Sequence, residues 1–446
     1  MVREQYSIHI CILYKFIMRY LVFLLSFSIF SSCVEPNQTF HSIPPGIWRG
    51  VLLLDRTPIM KYGDDRDIVK KFDVESELPF NFEVIYDNDS TFHLVVHNDT
   101  ERIKVTDIKF GRDKSTAKDT IIINFPIYDT YIKAIYEDGV MEGDWVVNYK
   151  ENYRIPFKAV HGISDRFENL GTKEDKISGK WESTFEIDTK DEYKAIGDFV
   201  QKEDKVMGTF LTETGDYRFL EGKLIKNKFY LSAFDGAHAF LFLGKIMDDG
   251  TLSGTFRSGS QYTTNWEAKR NDTFQLRNAY ELTQSVKDQM DFAFLNTQGK
   301  TISLRDKKYE NKYKIIQIMG TWCPNCMDET VFLKEYFTEN PDTSVNIISI
   351  GFERYKDTTK CLKALKRFKD KMFIEHEVLY GGYYDKKSAA MQIPQLDKIM
   401  SYPTLIFVDK SNKIRKVYTG FSGPATQSFQ AYKSKFKELI LELKAN

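Results

Sequence analysis

Cysteine is scarce in this chain of 446 residues: there are five, at Cys11, Cys33, Cys323, Cys326 and Cys361. So few thiols over such a length are not a disulfide framework, and each needs its own explanation. Net charge is missing too. The 63 basic residues cancel the 63 acidic ones, leaving no electrostatic footprint for nucleic acid. Long hydrophobic runs are also lacking: LVFLLSFSIF, residues 21–30, has about half of the roughly 20 residues that span a bilayer. Lys15 and Arg19 break any longer span. Histidine is sparse, and His93, His97 and His161 have no metal-ligand spacing to a nearby Cys or His, so no metal is expected. What the chain does have is a hydrophobic content of 42%, which supports globular folding, and 34 Phe with 25 Tyr, which favours strands. Its length exceeds one ordinary core, so two or three domains are expected.

The apolar run is preceded by Met18-Arg19-Tyr20 and followed by Ser31-Ser32-Cys33. A basic start, a short apolar run and small residues before a cut point describe an export signal over residues 1–33. Cys33 directly after two serines resembles a bacterial lipobox, in which the cysteine is lipidated and becomes the mature N-terminus. Phe30 departs from that pattern, which prefers an aliphatic residue there. Residues 1–17 lie upstream of a complete signal, so the true start is expected at Met18, which would make Cys11 irrelevant. Residues 34–45 are polar and proline-bearing, as a tether should be. The rest of the chain would then face the periplasmic side of the cell envelope, held to a membrane by the lipid.

From residue 46 to 271 short alternating runs such as PFNFEVIYD, DTIIINFPI and KFYLSAFD are broken by Gly, Asp and Asn. They read as antiparallel strands of an all-β region. The region repeats, dividing into units 46–165 and 176–271. Gly46-Ile47-Trp48 opens one and Gly179-Lys180-Trp181 the other; DGVMEGDW, residues 138–145, matches DGTLSGTF, residues 249–256. About eight strands per unit suit two lipocalin-like barrels or one larger sheet assembly. Trp48, Trp145, Trp181 and Trp266 are read as core filling rather than a ligand site in a barrel mouth.

Residues 272–290 read as a partly helical linker, and the texture then changes over 291–446. FAFLNTQGKTISLRD reads as a hairpin turning at Gly299. IIQIM, SVNIISI, TLIFVD and KIRKVYTG read as strands, and TTKCLKALKRFKDKM as an amphipathic helix. Alternating strands and helices mean an α/β domain. Within it, Trp322-Cys323-Pro324-Asn325-Cys326 follows an apolar strand and precedes a helical segment. A CxxC there reads as a dithiol/disulfide redox pair. A haem site would need His after the second cysteine, where Met327 stands, and a zinc site would need a second ligand pair.

GKTISLRD, GTWCPNC, SYPTLIFVDKSNKI and TGFSGP, in this order, resemble the TlpA-like thiol–disulfide oxidoreductases of the thioredoxin superfamily, from about residue 290 to the end. The resemblance implies a thioredoxin-like fold with Cys323 as a partly exposed nucleophile and Cys326 as the resolving thiol. Trp322 would shield the site, and Pro403 after Tyr402 would form a cis-proline loop that docks substrate. Where thioredoxin has a buried Asp, six positions before the first cysteine, this chain has Gln317. Glu353 matches a glutamate near the cysteine pair and is the expected proton acceptor for Cys326. Glu329 reads as an exposed helical residue, and Cys361 as a half-buried free thiol. Taken together, the expected protein is a membrane-anchored thiol–disulfide reductase without a cofactor. Its partners would be exported proteins with disulfides or thiols and a membrane electron donor. Two alternatives are a thiol peroxidase of the peroxiredoxin type and an envelope lipoprotein that binds a ligand or protein and carries the redox domain as an accessory. The peroxidase reading lacks the proline such a site needs upstream of Cys323.

Overall fold

The alternation of apolar and polar residues between Gly46 and Arg270 becomes two sheets of nine strands each. The computed structural model describes residues 43–55, 75–114, 117–167 and 177–445. The export signal, Cys11, Met18, Cys33 and most of the tether lie outside the described residues. In the first sheet the opening strand, Gly46–Leu53, pairs with the last, Arg154–His161, in the middle of the sheet. The edges are Glu101–Val105 and Ile108–Arg112, consecutive in the chain yet unpaired with each other. This unit is therefore a half-barrel. In the second sheet Tyr193–Lys202 pairs with both Gly179–Phe185 and Lys205–Thr212, closing an eight-stranded barrel. A two-residue strand, Gly215–Asp216, adds to the end of Lys205–Thr212. One unit thus closes as expected and the other does not.

The repeat has a structural counterpart. Trp48 Nε1 donates to the Pro44 carbonyl at 3.2 Å and Trp181 Nε1 to the Ile177 carbonyl at 2.8 Å, each four residues upstream. Gly143 and Gly254 sit where a Cβ would strike the backbone of the neighbouring strand, which fixes glycine at both positions. The barrel interior is filled by Phe185, Phe199, Phe210, Phe229, Phe242 and Trp266, all buried. The open side of the half-barrel is closed by the other unit. Phe234 of the barrel packs on Phe80, Phe125 and Trp145 with ring centroids 4.4, 5.6 and 5.4 Å apart. Asn98 of the half-barrel exchanges hydrogen bonds of 2.9 and 3.2 Å with the Phe234 backbone.

The linker is not helical. Its backbone is satisfied by the C-terminal domain instead: Val286 N–H donates to Gln395 O at 2.7 Å, and Met290 N–H to Asn412 O at 2.8 Å. A segment so tied cannot also make the i→i−4 bonds of a helix.

The C-terminal domain has a seven-stranded sheet. Its central strands, Tyr313–Met319 and Val345–Glu353, are parallel, while Tyr313–Met319 and Thr404–Val408 are antiparallel. Tyr313–Met319 is buried on both faces, which explains its continuous apolar sequence. Helices α1 (Pro324–Glu339) and α4 (Phe429–Ala445) contribute Phe332, Leu333, Phe436 and Ile440 to a core with Ile315 and Phe407. Helix α2 (Thr358–Lys371) contributes Leu365 and Phe368 to a separate core with Ile316, Ile318 and Ile350. A strand at Glu377–Tyr383 and a short helix, α3 (Lys386–Gln392), were not anticipated.

Candidate active site

Strand Tyr313–Met319 ends at Gly320, and the chain turns so that Cys323 becomes the N-cap of α1, with Pro324 in the first turn. Proline suits that place because its missing N–H would be unpaired there anyway. Cys323 Sγ accepts the Cys326 N–H at 3.2 Å, and the two cysteines form a disulfide with Cα atoms 5.3 Å apart. In the reduced state the same N–H group and the helix dipole would favour a thiolate on Cys323. The Tyr402–Pro403 peptide is cis, and the Tyr402 carbonyl oxygen lies 3.6 Å from Cys323 Sγ. Trp322 donates from Nε1 to Phe352 O at 2.9 Å and packs edge-on against Tyr402 and Tyr384. The structure thus brings Trp322, Cys323, Cys326, Tyr402 and Pro403 together.

Glu353 is buried at the end of its strand and turned back to Thr321, accepting the N–H at 3.0 Å and the hydroxyl at 2.8 Å. Burial pushes its carboxyl up to about 7, against the pull of the Thr321 hydrogen bonds.

Glu329 corrects the sequence reading. It is fully buried rather than exposed, because α4 covers that face of α1. Its carboxylate accepts from Gln317 Nε2 at 3.0 Å and from the Tyr432 hydroxyl at 3.2 Å. Gln317 also donates to the Cys326 carbonyl at 3.3 Å, so a polar network lies directly beneath the resolving cysteine. The signal in the sequence was the i, i+3 spacing of Cys326 and Glu329, which puts both on one helix face. Burial raises the Glu329 carboxyl to about 8. The folded chain then holds a proton that the unfolded chain releases near pH 4.5, so this group makes stability fall as pH rises from there to about 8. Glu329→Gln is expected to match the parent in denaturant midpoint at pH 5 and to exceed it at pH 8.

Cys361 is fully buried, with its thiol donating to Tyr355 O at 3.2 Å. Burial pushes it up to about 11, so it stays protonated and unreactive.

The β-region reaches this site, which the sequence did not announce. Around the two-residue strand Gly215–Asp216, the Thr214 carbonyl accepts from Ser401 Oγ at 2.8 Å and the Asp216 carbonyl from Asn325 Nδ2 at 3.3 Å. A Cβ at Gly215 would collide with Asn325. Cys323 itself is only 7% exposed, not partly open as expected. Beside this contact Arg218 of the barrel, fully buried, bonds Glu101 of the half-barrel and Asp328 of α1 and lies 3.4 Å from Asp235. Burial works against its charge, but Asp328, Glu101 and Asp235 outweigh that and push its pKa up.

Residues 286–417 match the AhpC/TSA family. No curated protein matches the chain. Similar solved structures include a thiol-disulfide oxidoreductase from Bacteroides fragilis, 20% identical, covering 34% of this chain and 99% of that one with a TM-score of 0.26. A putative thiol:disulfide interchange protein DsbE from Chlorobium tepidum is 16% identical over 36% of this chain and 97% of that one, TM-score 0.27. The exposed lipoprotein thioredoxin of Streptococcus pneumoniae is 22% identical over 33% of this chain and 99% of that one, TM-score 0.25. The family match and the sheet order identify the C-terminal part of the chain as a thioredoxin-superfamily domain.

Proposed function

We propose that this protein is an extracytoplasmic thiol–disulfide oxidoreductase that reduces disulfides of exported proteins through Cys323 and Cys326. The observation that carries this reading is Cys323 Sγ capping α1 and facing the cis-proline loop, with Cys326 bonded to it. Cys323 thiolate attacks one sulfur of the substrate disulfide, and the other sulfur leaves as a thiolate that takes a proton. Cys326 then gives up its proton and attacks Cys323, releasing the second substrate thiol. The protein is left as the Cys323–Cys326 disulfide, and a dithiol donor at the membrane restores it. The lipid anchor at Cys33 is part of the proposal, and an N-terminal mass of the native protein tests it. Cys323 is nearly covered, and the barrel's Thr214–Asp216 segment is bonded to Asn325 of the CxxC motif and to Ser401 of the cis-proline loop, so a protein substrate is expected to shift that contact on docking.

Cys326→Ser tests the central claim. With Cys323 reduced beforehand, it should capture a stable mixed disulfide between Cys323 and disulfide-bonded insulin or a disulfide peptide, seen by mass under non-reducing conditions. Absence of that adduct, with rapid peroxide consumption by the parent, would favour a thiol peroxidase instead. In that case the Thr321 hydroxyl would have to leave Glu353.

Glu353 is assigned as the proton acceptor for Cys326. An acceptor must be ionised, so the parent rate should rise through about pH 7, where its carboxyl titrates. Glu353→Gln should slow reduction by about tenfold or more and remove that rise. An unchanged pH profile would remove Glu353 from the mechanism, and the same assay on Glu329→Gln would show whether the network under Cys326 takes its place.

A further inference from the structure

A cavity of about 510 Å³ lies where the barrel mouth, the end of the half-barrel and the redox domain meet. That volume is within the range of small-molecule sites, roughly 300–1,000 Å³. Its barrel wall is aromatic: Tyr217, Phe240 and Phe256 pack on one another, with centroids 4.8 to 5.6 Å apart. The opposite side carries cations without acids. Lys150 Nζ sits 4.3 Å over the Tyr153 ring and makes no ion pair among the described residues. The Arg354 guanidinium lies 4.2 Å over Trp322 and 5.1 Å over both Tyr149 and Tyr384, again with no carboxylate in contact.

Two further donors have no acceptor among the described residues. Trp145 is 2% exposed and lines the cavity, yet its Nε1 has no hydrogen-bond partner. Arg354 Nε is likewise buried and unpartnered. Leaving a buried donor unpaired forfeits the hydrogen bonds it made to water, so such groups normally have a partner. The acids nearby are committed elsewhere. Glu213 on the wall is held by Arg277 through two bonds of 2.6 Å, Glu353 faces Thr321, and Asp235 lies 3.4 Å from both Arg218 and His238. Of the other basic residues on the wall, Lys194 bonds Thr184 at 2.8 Å, and His238 Nδ1 lies 3.4 Å from Asp235 Oδ2.

We infer that this cavity binds an amphiphile with one anionic head and an apolar body, the head on Lys150, Arg354 and Trp145 Nε1 and the body against Tyr217, Phe240 and Phe256. Burial, and next Arg354, already lower the Lys150 ammonium to about 8, and an anion between the two cations would relieve both effects. The site stands whether or not the redox reading holds, since neither Cys323 nor Cys326 lines it. Through Trp322 it lies next to Cys323.

Calorimetric titration of the whole chain, disulfide intact, with decanoate, decanol and decyltrimethylammonium at pH 7 tests the inference. Decanoate should bind one to one, at least tenfold tighter than decanol, with the cation weakest. Lys150→Met should remove that preference. Trp145→Phe, which stays aromatic but loses the indole N–H along with part of the ring system, should weaken decanoate severalfold more than decanol. Lys245→Met, on the outer surface of the barrel, should change nothing, and denaturant midpoints check that each variant is folded. Equal affinity for the three head groups, insensitivity to Lys150→Met, or no binding of decanoate would overturn the proposal.

Discussion

Replacing Arg218 by Met is expected to destabilise the chain by about 3–5 kcal/mol, the range found when one partner of a buried ion pair is removed. The side chain is fully buried between three carboxylates, from the half-barrel (Glu101), the barrel (Asp235) and α1 of the redox domain (Asp328). Methionine fills much of the volume but leaves those carboxylates uncompensated. The deficit should grow with pH. Burial already raises Asp328 to about 7 and Glu101 above its ordinary value, although Arg218 pulls both down. Without Arg218 the folded chain holds these protons more tightly still, while the unfolded chain releases them near pH 4. Stability is therefore lost as pH rises between those limits. Denaturant midpoints at pH 5 and pH 8 check this: the gap between parent and variant should be clearly wider at pH 8. A loss under about 1 kcal/mol at both would mean that the cluster is not held by Arg218.

Much of this architecture was legible in the chain, and where it was not, the reason is physical. Strands could be read because the half-barrel and barrel bury alternate residues, and the Asp138-Gly139 and Asp249-Gly250 turns carry glycines at positive φ. Closure could not, because it depends on whether the two edge strands meet. Tyr193–Lys202 and Lys205–Thr212 do, whereas Glu101–Val105 and Ile108–Arg112 do not, and both pairs are joined by short turns. The CxxC, Trp322 and the Tyr402–Pro403 loop were found because their spacing is local. Glu329 was misread because its burial comes from α4, about a hundred residues on, bonding through Tyr432. The strand Glu377–Tyr383 was missed because Gly381 and Gly382 weaken its apolar signal; a Cβ at Gly381 would meet Phe352 and Ile350, so packing demands the glycine that hides the strand. The contact of Gly215 with Asn325 and the cavity beside Trp322 join residues more than a hundred positions apart. Nothing in either segment alone points to the other.

Cys323→Ser should lower the rate of disulfide reduction by about a thousandfold or more, because a serine hydroxyl is hardly ionised near neutral pH whereas a capped cysteine is. Cys326 cannot take over, since it is fully buried and its carbonyl and neighbours are engaged by Gln317 and Thr330. The variant should stay folded: the lost bond closes a loop of sequence separation 3, too short to constrain the unfolded chain much. Insulin turnover with dithiothreitol as donor gives the rate, and the denaturant midpoint gives the control. Residual turnover above about a tenth of the parent's, with an intact fold, would place the chemistry elsewhere. The two variants also meet at one measurement. In the reduced parent, Cys323, 7% exposed and next to Asn325 and Ser401 that hold the barrel's Thr214–Asp216 contact, should react slowly with iodoacetamide. If Arg218 holds that contact down, Arg218→Met should speed alkylation of Cys323 at pH 8 while leaving buried Cys361 untouched.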